Sequence, residues 1–194
     1  MRKGATAGLL ALLAACGGTS QPAAPELIAP TFPVGTYWVS MTGYDVPIPG
    51  LSTCDRPVGE PPSSKRVTVQ LTVVKEGTEW AGRNAEGGGD ITLRFRDGGE
   101  LPYGLRALTG TLRGQARDTG IPGAANPTDV SITIDGNATV DGQTALPFSA
   151  RVLSGRATGA IRFTDGNGRS ATCSTIAVSM STDPSVFTQG ALSR

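Results

Sequence analysis

The stretch Val67-Thr68-Val69-Gln70-Leu71-Thr72-Val73 alternates aliphatic and polar residues without a break. Successive side chains of an extended chain point to opposite faces, so this heptapeptide reads as a half-buried β-strand with its valines and Leu71 inward. The same period recurs along the chain. Ile91, Leu93 and Phe95 alternate with Thr92, Arg94 and Arg96. Leu108, Gly110, Leu112, Gly114 and Ala116 alternate with Thr109, Thr111, Arg113, Gln115 and Arg117. From Val130 to Val140 the even positions are Val, Ile, Ile, Gly, Ala and Val, which carries one strand through Asp135-Gly136. No helical stripe of period 3.6 competes with this pattern.

An all-β domain follows, an antiparallel up-and-down meander of about 8–10 strands. Nine strands are expected at 36–44, 66–75, 79–85, 90–97, 106–117, 129–140, 144–153, 156–164 and 169–180. Parity sets the turns. Phe148, Ala150 and Val152 are to share the face of Val140, which calls for a three-residue turn at Asp141-Gly142-Gln143 and a two-residue turn at Ser154-Gly155. Gly82, Gly110, Gly114, Gly136 and Gly159 fall on the inner face. Sequential short connections favour a closed or nearly closed β-barrel, with a β-sandwich as the alternative. Two connections are long, Asp45 to Ser64 and Asp118 to Thr128.

The composition narrows the chemistry. The chain has 194 residues, 38% hydrophobic and 17% charged, enough apolar material for one packed domain. It contains no histidine, which removes the Ser/His/Asp triad, the Cys/His pair and most zinc sites. No carboxylate pair sits on one strand face at a spacing suited to acid/base work, and no SxxK motif is present. The expectation is therefore no enzyme, with a carboxylate-based hydrolase kept as the least favoured alternative, and no cofactor and no metal. Asp97, Asp135, Asp141 and Asp165 each precede Gly. A calcium loop at Asp165-Gly166-Asn167-Gly168 is one reading and turn chemistry the favoured one. The glycine runs at 87–89 and 98–99 read as hairpin loops.

The N-terminus supplies an address. Arg2 and Lys3 precede an uncharged stretch from Gly4 to Ala15, a basic region followed by an apolar one. Twelve residues cover only ~18 Å as a helix, short of the ~30 Å hydrocarbon core. Leu13-Ala14-Ala15-Cys16 resembles the lipobox of bacterial lipoproteins. That resemblance implies a signal peptide at 1–15, a diacylglycerol thioether on Cys16 and usually a third acyl chain on its new amino group, which together moor a chain to a membrane. Residues 16–34, rich in Pro, Ala, Gly and Ser, form a tether, 35–182 the β domain and 183–194 a C-terminal tail. Localisation is then the bacterial cell envelope, periplasmic face or outer membrane. Without Arg2 and Lys3 the chain holds 15 basic against 16 acidic residues, and no nucleic-acid partner is expected. Cys54 and Cys173 form an even pair in an exported chain and read as a disulfide. Strand parity turns Cys173 outward, so the bond is expected to pin the first long loop to the outside of the last strand.

Three sets of residues are candidates for recognition. Arg94, Arg96, Arg113, Arg117, Arg151, Arg156 and Arg162 face outward and suggest either a basic wall for an anionic glycan or acidic partner, or a solvated face that deters edge pairing. Ser170, Thr172 and Ser174 share the parity of Ile176, Val178 and Met180. With Trp38 and Trp80 they suggest a polar-mouthed pocket for a small ligand, the alternative being a filled core. Gly35-Thr36-Tyr37-Trp38 resembles the opening of lipocalins. The meander is also similar to avidin-like and periplasmic protease-inhibitor barrels, which implies a carrier as the alternative function. The primary expectation is an interaction module for an envelope protein or surface glycan. Two short likenesses, Leu108-Thr109-Gly110 with Gly114 against Leu153-Ser154-Gly155 with Gly159, and RFRDG at 94–98 against RFTDG at 162–166, hint at internal repetition.

Overall fold

The computed structural model describes residues 32, 34–45, 53–55, 64–84, 89–121, 129–145 and 151–187. They form one antiparallel sheet of nine strands: β1 Gly35–Tyr44, β2 Thr53–Cys54, β3 Ser64–Glu76, β4 Glu79–Asn84, β5 Thr92–Leu101, β6 Leu105–Arg117, β7 Val130–Ala145, β8 Arg151–Asp165 and β9 Ser170–Ser181. From β3 to β9 each strand pairs with its successor, and β1 pairs with both β3 and β9. The meander thus closes on itself, which leaves no long unpaired edge. β2 extends the closure by pairing with β9 below β1.

The alternating stretch that opened the reading is the centre of β3. Val67, Val69, Leu71 and Val73 are all buried, with Val39 opposite Val69 and Leu93 opposite Gly82 across the neighbouring strands. Inward side chains from every long strand join one apolar cluster. At the end where β1 begins, the cluster is closed by aromatics. Phe32, ahead of β1, packs 4.8 Å from Phe95, 5.5 Å from Tyr37 and 5.8 Å from Trp80 between ring centres. The Trp80 indole N–H donates to the Phe32 carbonyl at 3.2 Å, which holds this plug in place. Phe32, inside the stretch read as tether, is therefore part of the packed body, and Phe187 in the short 3-10 turn Pro184–Phe187 is also buried. At the opposite end lies the Cys54–Cys173 disulfide, formed across a separation of 119 residues.

Five expectations are corrected. Asp141-Gly142-Gln143 and Ser154-Gly155 are not turns: both lie inside long strands, with Gly142 opposite Gly155 and Gln143 opposite Ser154. β7 and β8 form a single tall hairpin, and the connection 146–150, with Phe148 and Ala150, lies outside the described residues. Gly98-Gly99 sits in β5 at a bulge, the actual turn being Pro102–Gly104. Gly136 is exposed in a bulge where β7 carries three residues, 136–138, opposite Gly159 alone. Two extra residues leave parity unchanged, so Ile134 and Ala138 both remain buried. In β9 parity does change. Gly159 and Ala160 of β8 oppose Ser174 alone, so Cys173 and Ile176, three apart, both face inward. Cys173 is fully buried, and its sulfur packs with that of Cys54 over Gly43, beside Phe163. The bond thus reaches into the core.

One seam needs help to close. β4 ends opposite Leu71, and among the described residues no strand pairs with the first half of β3 on that side. The segment after β6 fills the place. Asp118 accepts the Thr68 N–H at 2.8 Å, and the Thr119 N–H and hydroxyl both donate to the Thr68 carbonyl at 2.9 Å. Asp90 and Gln115 exchange two bonds of 2.8 Å beside it. Buried backbone groups must be satisfied somewhere, and here a loop substitutes for a strand.

Candidate functional site

The inward side chains of the described strands form one buried apolar cluster. Positions where an inward glycine might leave room are already filled: a Cβ on Gly82 meets Leu71 and Val73 at 3.3 Å, and one on Gly159 meets Ala138 at 3.0 Å. At Gly110 the neighbouring backbone itself intrudes, with the Arg94 carbonyl oxygen 2.0 Å from a Cβ position. Of the residues proposed to line a pocket, only Trp80 is inside, stacked on Phe95 with ring centres 5.7 Å apart and the Lys75 ammonium 5.4 Å from its ring. Trp38 lies on the outer parity of β1, half-buried, because Tyr37 and Val39 take the inner one. Ser170, Thr172 and Ser174 are exposed outside, the consequence of the β9 bulge. These five residues are not brought together. Burial pushes the Tyr37 phenol up to about 12, which keeps it neutral in the core. Asn84, opposite Leu71, has both amide atoms buried with no hydrogen-bond partner among the described residues.

The arginines are dispersed into mixed charge. Arg94 is paired with Glu76 and, at 3.2 Å, with Glu79, while Arg83 holds Glu76 at 2.7 Å. Hydrogen bonds from Arg83, with both guanidinium charges nearby, hold the Glu76 carboxyl below the usual range. Arg162 lies 3.7 Å from Asp135, and Arg156 stands opposite Asp141 in register. Arg96, Arg113 and Arg117 are exposed; the Arg151 side chain lies outside the described residues. In register only Arg156 has an acid directly opposite, while Arg94, Arg96, Arg113, Arg117 and Arg162 stand opposite Thr or Ser; Arg94 and Arg162 reach acids through their side chains.

Register produces a feature that sequence reading missed. Thr111, Thr139, Thr158 and Thr175 lie directly opposite one another across β6, β7, β8 and β9, all on the outer face. Strands are ~4.8 Å apart, so four hydroxyls line up over ~14 Å. The next row runs Thr109, Asp141, Arg156. A row of evenly spaced donors and acceptors, backed by a rigid sheet, suits a partner with its own linear repeat of polar groups. The four threonines are far apart in sequence, and only pairing aligns them.

The acidic turns are engaged internally. Asp165 accepts from the Asn167 and Arg169 N–H groups at 3.0 and 2.9 Å and from the Arg169 guanidinium at 2.7 Å, which is turn chemistry at the sequence weighed as a calcium loop. Burial raises its carboxyl, but these bonds outweigh it and the net shift is downward. Among the described residues no cluster of three or more Cys, Asp or Glu has the makings of a metal site, and no helix is long and apolar enough to cross a membrane. The disulfide fits folding outside the cytoplasm. Comparison with protein-family models, curated proteins and solved structures returns no match.

Proposed function

We propose that the chain is a lipid-anchored lipoprotein of the bacterial cell envelope whose β domain works by binding, as an interaction module for an envelope protein or surface glycan, without catalysis. The observation that carries this reading is the apolar character of the buried cluster: the inward side chains described between Phe32 and the disulfide are aliphatic and aromatic, which favours the outer surface for recognition. The lipobox-like Leu13-Ala14-Ala15-Cys16 supports the anchor, and the outward threonine row with its Asp141 and Arg156 flank supports contact through β6 to β9. Four of the five pocket candidates, Trp38, Ser170, Thr172 and Ser174, lie on the outer face, which favours the surface reading over the carrier.

Two measurements test it. Labelled palmitate is expected to enter the full chain and to be lost in Cys16→Ala; a wild-type chain that takes up no label overturns the anchor. A photo-crosslinker placed at Thr139 in the intact envelope is expected to capture one protein or glycan, and one at Asn167 to capture none. A small molecule retained in native mass spectra, with no Thr139 adduct, favours the carrier instead.

A further inference from the structure

We propose that the tip of the β5–β6 hairpin, Leu101-Pro102-Tyr103-Gly104-Leu105, is a membrane-contact site that seats the Tyr103 ring among lipid headgroups; this rests on the lipid anchoring of Cys16. Tyr103 is 98% exposed, whereas the aromatic rings of Phe32, Tyr37, Trp80, Phe95, Phe163 and Phe187 are buried. Its backbone is also strained. At φ 65° and ψ 29° it occupies the left-handed region, between Pro102 and a Gly104 that is itself at φ 70°. Glycine or asparagine takes such a position freely and a bulky side chain does not. A large aromatic held in an unfavourable conformation and offered wholly to solvent points to a contact outside the domain.

The surroundings identify the contact as a lipid surface. Five consecutive residues without charge separate Glu100 from Arg106, and Arg106 is neutralised by Asp97, whose carboxylate takes the guanidinium Nε at 3.0 Å. The tip therefore offers an apolar body and one phenol, the combination that favours the headgroup layer. Its place in the fold agrees. β1 begins, and β5 ends, at the same end of the sheet, and Phe95 of β5 touches Phe32 where the chain enters the domain. Six residues further along β5 carry Leu101 ~20 Å beyond that point. The 16 residues from Cys16 to Phe32 span up to ~55 Å when extended, so an acylated Cys16 reaches a bilayer that the tip is touching. An anchor and a second contact together orient the domain, which a single flexible tether does not.

Sequence repetition adds an independent argument. Leu101-Pro102-Tyr103 recurs 45 residues later as Leu146-Pro147-Phe148, and the strands that follow repeat with it: Arg106, Leu108, Gly110, Gly114 and Arg117 correspond to Arg151, Leu153, Gly155, Gly159 and Arg162. An aromatic after Leu-Pro is kept in both copies. Residues 146–150 lie outside the described residues, and the proposed site does not include them.

The test is hydrogen exchange on the full chain, reconstituted through its acyl groups into phosphatidylethanolamine/phosphatidylglycerol vesicles and compared with the Cys16→Ser chain in solution. Amides of 103–105 are expected to exchange about tenfold more slowly on vesicles, while those of 166–168 at the opposite end do not change. Tyr103→Gly is expected to raise Tm by a few degrees, since the strain is relieved, and to abolish the protection. Equal exchange at 103–105 in both states overturns the proposal, as does protection that appears only when envelope protein is added. The mass of the N-terminal peptide reports acylation separately. If it carries no acyl group, Cys16 is coupled to a maleimide lipid and the same comparison still decides the tip.

Discussion

Replacing Gly110 by alanine asks how closely β5 and β6 approach. A Cβ there falls 2.0 Å from the Arg94 carbonyl oxygen and 2.7 Å from the Phe95 Cα, both backbone atoms of the paired strand. Ordinary contact requires at least ~3.4 Å, so the strand must retreat by ~1.4 Å, and no rotamer change relieves it. Overpacking of this kind costs ~3 kcal/mol, the upper part of the usual range, because the obstacle is main chain. Gly155 is its counterpart in β8, with the Asp141 carbonyl oxygen at 2.3 Å and the Gly142 Cα at 2.4 Å, and Gly155→Ala is expected to cost a similar amount. Gly136 provides the control. At φ +78° with nothing within 4 Å of its Cβ position, it is open, and alanine there pays only the left-handed penalty of ~1 kcal/mol. Urea unfolding of the oxidised full chain measures all three, and for a domain this size 3 kcal/mol corresponds to ~9 °C in Tm. If Gly110→Ala loses no more stability than Gly136→Ala, β5 and β6 do not approach as described.

Other expectations follow from the same geometry. Removing the disulfide in a Cys54→Ala, Cys173→Ala double variant is expected to cost ~5 kcal/mol in urea unfolding, the chain-entropy value for a loop of 119 residues, and a loss below 1 kcal/mol refutes the cross-link's role. Asp118→Ala leaves the buried Thr68 N–H without its acceptor, so stability should fall by ~1–3 kcal/mol, with faster amide exchange at Thr68 than at Leu71. Burial pushes the Asp97 carboxyl up, but bonds from Arg106 and the Gly99 N–H outweigh it and its value in the folded state is lowered. Its stabilisation is thus present above about pH 4 and lost as pH falls below that, and Asp97→Asn should flatten the acid limb of a urea-midpoint profile. Tyr37 shifts the other way: its stabilisation holds below the ordinary tyrosine value of 10.0 and is lost as pH rises toward about 12, and an alkaline profile unchanged in Tyr37→Phe refutes this.

Period-two alternation was enough to place most strands, because one buried face obliges every second residue to be apolar, whatever the strand's neighbours are. Val67 to Val73 and Ile91 to Phe95 needed nothing more. The Cys54–Cys173 pairing was legible for a different reason, an even pair of thiols in a chain with an export-like N-terminus. The errors lie where backbone, not hydrophobicity, decides. Ser154-Gly155 looks like a turn by composition, yet its counterpart Thr109-Gly110 was read within a strand; following the 45-residue repeat would have placed both mid-strand, where glycine admits a neighbouring backbone. The β9 bulge, one residue opposite two, reversed Cys173 and moved Ser170, Thr172 and Ser174 to the outer face. Nothing local announces such a bulge, since it exists only as a mismatch between two strands.

Alone, then, the residue order determined that this chain builds an antiparallel all-β sheet with a covalent cross-link, since alternation and cysteine chemistry are local or compositional properties. Tertiary structure decided which strand meets which: the closure of β1 on β9, the loop that stands in for a strand at Thr68, the alignment of four distant threonines, and the projection of Tyr103 at the end where the chain enters. Those depend on register and on the direction of each strand, quantities that arise between segments and are carried by none of them separately.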